Sequence, residues 1–189
     1  MKTITVMDEQ WLPQVVSLAN QVHGENYLDL VKLTHLQQRG IKHNINASYV
    51  ALIENRVVGY RLSFAAGQWP LDQWCSVSQW PVAPANMAYF KSVAVAPELQ
   101  GQGLGTQLLR ASVKSLQQQG ATAGLAHIWQ QSPGNAAQRY FTKAGAALIQ
   151  VHPDRWLHLS QTAGYLCPVC GNQCHCTAAE MVLPFAELS

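Results

Sequence analysis

Along the 189 residues, the apolar and polar positions change period several times, and each change marks an element. Lys2 to Met7 alternates with a period of two and predicts an opening strand. Asp8 and Glu9 suit a helix N-terminus, and Trp11, Val15, Leu18, Ala19 and Val22 recur at helical spacing. A second helix is expected from about Tyr27 to Arg39, closed by Gly40. Ser48–Ile53 and Val57–Ala65 are strand-like runs flanking Glu54-Asn55-Arg56, the pattern of a hairpin. Ala66 to Ala85 holds Trp69, Trp74 and Trp80 among Pro70, Pro81 and Pro84, and predicts a long ordered loop. Tyr89 to Val95 is an apolar, β-prone run that stops at Pro97. A helix is expected from about Gly103 to Gln119, with Leu104, Leu108, Leu109, Val113 and Leu116 on one side. Gln107, Arg110, Lys114, Gln117 and Gln118 face the other side, and Gly120 ends it.

The remaining pattern predicts a strand at Ala123–Trp129 and a helix near Asn135–Lys143, capped from Ser132 or Asn135 and ended by Gly145. Strands near Ala146–Val151 and Glu180–Phe185 follow. The order β-α-α-β-β-β-α-β-α-β-β has no internal repeat. It predicts an α/β (α+β) fold of one domain over 1–189.

Composition narrows the function. Hydrophobic residues make up 48% and charged residues 12%, so the surface relies on Gln, Asn, Ser and Thr. A net charge of +2 is too small by itself to argue for nucleic acid or an anionic membrane surface as partner. No apolar run approaches bilayer length, and MKTITVMDEQW has no signal-like apolar core. A cytoplasmic protein with no nucleic-acid and no membrane partner is expected.

The candidate chemistry lies where the β-prone run meets the helix. Gly101, Gly103 and Gly105 form a glycine-dense turn between them. Glycines let the backbone turn its N–H groups inward, and the helix N-terminus adds the positive end of a dipole. The combination suits a pyrophosphate. It is not a dinucleotide fingerprint, since the spacing is G-x-G-x-G and the strand Ala121 to Trp129 carries no acidic residue. Nor is it a P-loop, since no Gly-Lys-Ser/Thr follows.

Gln100-Gly101-Gln102-Gly103-Leu104-Gly105, preceded by Ser92-Val93-Ala94-Val95-Ala96-Pro97-Glu98, closely resembles motif A of the GNAT superfamily of acyl-CoA-dependent acyltransferases. The resemblance implies a mixed, mostly antiparallel sheet of six to seven strands, splayed at the central strand and flanked by about four helices. It implies that Val93 and Val95, with Ala94 between them, offer backbone groups to the pantetheine arm of acetyl-CoA. Gly101, Gly103, Leu104, Gly105 and Thr106 would aim N–H groups at the pyrophosphate, with Gln100, Gln102 and Asn135 also at the cofactor.

The implied reaction is direct attack of a primary amine on the thioester. A backbone N–H of the Val93–Val95 strand would hold the oxyanion, and a tyrosine in the later helix would serve the leaving thiolate. Here the match shifts. Counting back from Gly145, the tyrosine slot holds Phe141, and Tyr140 lies one residue earlier, a rotation of about 100° on a helix. Tyr140 is the candidate acid and reads equally as a core-edge aromatic. Glu25 and His127 are the candidate bases; Glu25 reads also as a solvated loop residue and His127 as a core side chain.

Cys167, Cys170, Cys174 and Cys176 cluster in a segment, 165–177, placed between the last two strands. The Cys-Pro-x-Cys-Gly opening resembles half of a zinc-ribbon knuckle, so a structural zinc is expected, with His175 as a reserve ligand. Reduced free thiols and a disulfide pairing are the alternatives, the latter less natural in a cytoplasmic chain. Cys75 reads as a buried small residue. Two functions follow: an N-acetyltransferase, or an acyl-CoA-binding sensor that uses the cysteine knuckle for docking. The acceptor is open between small-molecule and peptide amines, and so is a homodimer.

Overall fold

The computed structural model describes residues 2–132 and 135–186. Nine strands and five α-helices follow in chain order: β1 (Lys2–Val6), α1 (Leu12–His23), α2 (Leu30–Gln38), β2 (Ile41–Lys42), β3 (Ile45–Asn46), β4 (Tyr49–Ile53), β5 (Arg56–Phe64), β6 (Met87–Val95), α3 (Leu104–Gln118), β7 (Ala123–Trp129), α4 (Ala136–Lys143), β8 (Ala147–His152), α5 (Leu157–Thr162) and β9 (Ala178–Pro184). Seven strands form one sheet in the order β1-β4-β5-β6-β7-β9-β8, and β2 with β3 makes a separate hairpin. All pairings in the large sheet are antiparallel except β6 with β7.

That one parallel pair is also the shortest in register. β6 and β7 pair only at Met87↔Ala123, Ala88↔Gly124 and Tyr89↔Leu125. Beyond Tyr89, β6 stays with β5 as far as Gly59↔Val95, while β7 stays with β9 as far as Trp129↔Ala178. The two central strands therefore part, as the resemblance implied. A bulge accompanies the parting: Leu62 faces Ser92 and Ser63 faces Phe90, which leaves Lys91 as the inserted residue.

Alternation along β5 distributes its side chains between the two faces. Tyr60 bonds Ser92, which also meets His23 of α1, whereas Ser63 bonds Ser112 of α3 and Arg61 bonds Tyr140 of α4. α1 thus covers one face, and α3 with α4 the other. α3 is held by Leu104, Leu108, Leu109 and Leu116, all buried as the pattern predicted, each contributing roughly 1.5–3 kcal/mol. Phe90 lies over β7 where Gly124 leaves room; a Cβ there would sit 2.3 Å from its ring.

Three expectations are corrected. The β2–β3 hairpin and α5 were not foreseen. The first turns on His43 and Asn44, both at positive φ, and its two-residue strands are too short to show a period. Neither Ser132 nor Asn135 caps α4 through its side chain: Asn135 is left-handed, at φ 51°, and its amide instead donates to Gln138.

Candidate functional site

The glycine turn lies between β6 and α3. Gly103 precedes α3 at φ 80°, where a residue with a Cβ is strained. The first bond of the helix ladder is Gln107 N–H to the Gly103 carbonyl, at 3.1 Å. The N–H groups of Leu104, Gly105 and Thr106 have no place in that ladder. Gly105 is the telling position. Its backbone is ordinary helix, and a Cβ there would meet nothing within 4 Å. The chain itself does not require glycine at 105, so the open space it preserves suits a closely approaching anion.

The edge of β6 that the parting exposes is partly satisfied by side chains. His23 Nε2 donates to the Val93 carbonyl at 3.1 Å, and Gln100 Nε2 donates to the Val95 carbonyl at 3.1 Å. Val93 and Val95 were expected to present free groups; a carbonyl has two lone pairs, so each keeps one for a further donor. Ala94, between them, is buried in the core. Gln102 is drawn aside by Lys2, whose Nζ donates to it at 2.7 Å. Near the start of α4, Asn135 Oδ1 and Ser132 Oγ are buried without partners. These open donors and acceptors fit an acyl-CoA: N–H groups for its pyrophosphate, and an unpaired strand edge and an amide oxygen for its pantetheine.

On the α1 face the Trp-rich loop is pinned against the point of parting. Trp69 stacks on Tyr89 with centroids 4.8 Å apart, and its Nε1 donates to the Met87 carbonyl. His127 Nε2 lies 2.7 Å from the Trp74 carbonyl, which can only accept, so this nitrogen carries the proton. Nδ1 therefore accepts from Tyr89, at 3.0 Å. Burial pushes His127 down to about 4 and raises Tyr89. Behind them Glu180 is fully buried. Burial opposes its charge, but donors on His152, Trp80 and Ser76 outweigh that and hold the carboxyl below its usual range. His127, His152 and Glu180 could together reach one metal ion, yet both His127 nitrogens and both Glu180 oxygens are already engaged.

Lys91, which the sequence reading missed, is presented by the bulge. Burial and the cations of Arg155 and Lys32 push its ammonium down to about 8, and among the described residues no hydrogen bond or ion pair holds it. Arg155 in turn binds Asp72 at 3.2 Å and lies over Trp74. Glu25 is placed elsewhere. It is exposed in the α1–α2 connection, its carbonyl accepts from Leu166 N–H, and with Leu166, Cys167 and Pro168 it lines a cavity of about 650 Å³. Tyr140 bonds Arg61, while Phe141 is buried against Phe90.

The sulfurs of Cys167, Cys170, Cys174 and Cys176 all lie within 4.8 Å of one another and could hold one metal ion. Cys176 is 3.7 Å from Cys167 and 3.5 Å from Cys170. Four thiolates around zinc stand roughly 3.8 Å apart, given a Zn–S distance of about 2.3 Å. His175 turns away and bonds Asp154 at 2.7 Å, so it is no part of the cluster. Cys75 is only half-buried, beside Asp72, rather than in the core.

A sheet that parts beside its central strand, with that strand running into an open glycine turn at a helix N-terminus, is the arrangement of an acyl-CoA-dependent acyltransferase. The chain belongs to the GNAT family of acetyltransferases: the model of the acetyltransferase (GNAT) family matches residues 12–146, and the family uses acetyl-CoA. Over 107 residues the chain is 29% identical to an N-alpha-acetyltransferase of Saccharolobus solfataricus, the match spanning 56% of each protein. Among solved structures it is similar to Ard1 from Thermoplasma volcanium (TM-score 0.70, 14% identity, 98% of this chain and 99% of that one). It is also similar to the ribosomal-protein-S18-alanine N-acetyltransferase of Escherichia coli (TM-score 0.69, 15% identity, 100% and 97%). A third, yncA from Salmonella typhimurium with acetyl-CoA, gives a TM-score of 0.67 at 19% identity over 100% and 96%. Among the described residues no helix is long and apolar enough to cross a membrane.

Proposed function

We propose that this protein transfers the acetyl group of acetyl-CoA to an amine by direct attack, at the place where β6 and β7 part. The observation that carries the reading is the register of those strands, which separate after Tyr89 just as β6 leads into the open glycine turn. The N–H groups at 101–106 would bind pyrophosphate, Asn135 Oδ1 and the Val93–Val95 edge would orient the pantetheine, and a backbone N–H of that edge would meet the oxyanion. Tyr140 would face the sulfur.

The acceptor must lose a proton before it attacks. His127, at about 4, is too weak a base to hold that proton near neutrality. Lys91, at about 8, matches an α-amine, whose ordinary value is about 7.7–8.0, and does so at the bulge beside the parting. Glu25 has no contact that brings it there and is given no step. The names of two similar proteins, an N-alpha-acetyltransferase and an S18-alanine N-acetyltransferase, put N-terminal α-amines first among acceptors.

The four cysteines are read as a structural zinc site that fastens the segment between β8 and β9. Incubation with acetyl-CoA and a panel of peptides, polyamines and aminoglycosides, reading free thiol, tests the activity. Thiol released with one class of amine supports the reading; binding of CoA without release for any amine supports a sensor instead. Lys91→Met should cut kcat by about a hundredfold and flatten its rise toward pH 8; an unchanged profile removes Lys91 as the base.

A further inference from the structure

Arg61 is among the most buried side chains of the protein, 1% exposed, and among the described residues no carboxylate pairs with it. Its guanidinium carbon lies 5.0 Å from the ring centre of Phe90, 5.5 Å from Phe141 and 5.9 Å from Tyr140. One Nη donates to the Tyr140 hydroxyl, and Nε has no partner. Burial lowers its pKa, but a guanidinium starts so high that it keeps its charge. Burying a cation without a counter-ion is costly, and the faces of the three surrounding rings offset it only in part. The packing of this region does not by itself account for the charge.

Its position does. Arg61 stands on β5 opposite Val93 of β6 and reaches across Phe90 to α4, so it ties β5, the strand beside the parting, to the helix on the α3–α4 face. Guanidinium groups only donate, so its bond uses a lone pair of Tyr140 and leaves that hydroxyl's hydrogen free. We infer that Arg61 is a positioning residue that polarises Tyr140 into a strong donor for the departing CoA sulfur. The inference rests on acetyl-CoA lying in the parting.

When the C–S bond breaks, its electron pair goes to sulfur. The thiolate is held by the Tyr140 O–H, whose oxygen is held by Arg61. Full proton transfer is not needed: burial raises Tyr140 above its ordinary value, while a thiol titrates near about 8.5, so the phenol keeps its proton. The sulfur takes a proton from solvent on release. Phe141, at the position the resemblance assigns to a tyrosine, is buried and has no hydroxyl to offer.

The test needs no acceptor. CoA bound to the protein is titrated by the ultraviolet absorbance of its thiolate, with free CoA as reference. The wild type should titrate about one unit lower than free CoA, a tenfold shift toward thiolate. Tyr140→Phe and Arg61→Met should each abolish the shift, their combination should do no more, and Arg61→Lys should keep part of it. If Arg61→Met does not fold, Arg61→Lys and Tyr140→Phe decide. A bound thiol that titrates like free CoA, or a shift that survives Arg61→Met or Tyr140→Phe, overturns the role of the pair. A wild type that binds no CoA overturns the site reading as well.

Discussion

The imidazole of His23, at the C-terminal end of α1, donates to the carbonyl of Val93 on the edge of β6 that β7 has left. This bond ties α1 to the parting; Nε2–H donates in either protonation state, so the bond itself favours the charged ring while burial disfavours it. Burial, more than the opposing bond to Val93, pushes His23 down to about 4, and His127 across the parting is likewise pushed to about 4.

Both histidines therefore make stability depend on pH, with a definite sign. Their folded pKa lies below the ordinary 6.5. Between those values the unfolded chain binds protons that the folded one refuses, so stability falls as pH falls. The effect sets in as pH falls through 6.5 and is absent about one unit above it. Urea unfolding between pH 6.5 and 5, above the carboxylate range, should show a loss of up to about 1.4 kcal/mol per pH unit for each histidine. His23→Gln should reduce that slope. A slope unchanged by the substitution would remove His23 as a cause.

Gly105 separates ligand from fold more cleanly than its neighbours. Gly101 and Gly103 sit at positive φ, so any side chain there strains the turn. Gly105 has an ordinary helical backbone and empty space around it. Gly105→Val should leave thermal stability nearly unchanged and weaken CoA binding tenfold or more, about 1.4 kcal/mol. Calorimetry giving equal affinity for both proteins would move the pyrophosphate elsewhere.

Most of the fold was legible because its elements announce themselves locally. α3 carries its leucines at helical spacing, and Glu54 and Asn55 mark the β4–β5 turn, where both adopt positive φ. The glycine turn was legible for the same reason. What could not be read were residues whose meaning depends on register. Lys91 matters because one residue is inserted opposite Leu62 and Ser63, which no local pattern reveals. Arg61 looked like one cation in a strand; its burial depends on α4 crossing above it. The two-residue strands β2 and β3 and the six-residue α5 are too short for any period to show.

Gly124 is held small by one ring. A Cβ would lie 2.3 Å from Phe90, which packs in turn on Phe141 and under Arg61. Gly124→Ala must displace that ring, at a cost of about 1–3 kcal/mol, the usual range for overpacking. Urea denaturation measures it. A loss below about 0.5 kcal/mol would mean that Phe90 moves freely and that the stack on Arg61 is loose.

The cysteine cluster is joined to the rest of the protein at a few defined points, and these set what metal removal should do. Leu166 N–H donates to the Glu25 carbonyl, Tyr165 Oη donates to the His23 carbonyl, and Asn26 Nδ2 donates to the Gly164 carbonyl. Gly24 has no room for a Cβ, because the Leu166 carbonyl would be 2.0 Å from it. The segment that carries Cys167 thus lies against the α1–α2 connection, while Cys176 leads directly into β9. A zinc ion bound by Cys167, Cys170, Cys174 and Cys176 would fix both ends, and its binding energy would be local folding energy. Protein purified without chelator should contain about one equivalent of zinc by elemental analysis. Stripping it should speed amide exchange around 164–177 and in the 24–28 turn, while the glycine turn at 101–106, which shares none of these contacts, keeps its CoA affinity. Less than about a tenth of an equivalent of zinc, with all four thiols titratable, would rule the site out. Full loading with no change in exchange at 24–28 would instead show that the ion fastens only its own loop.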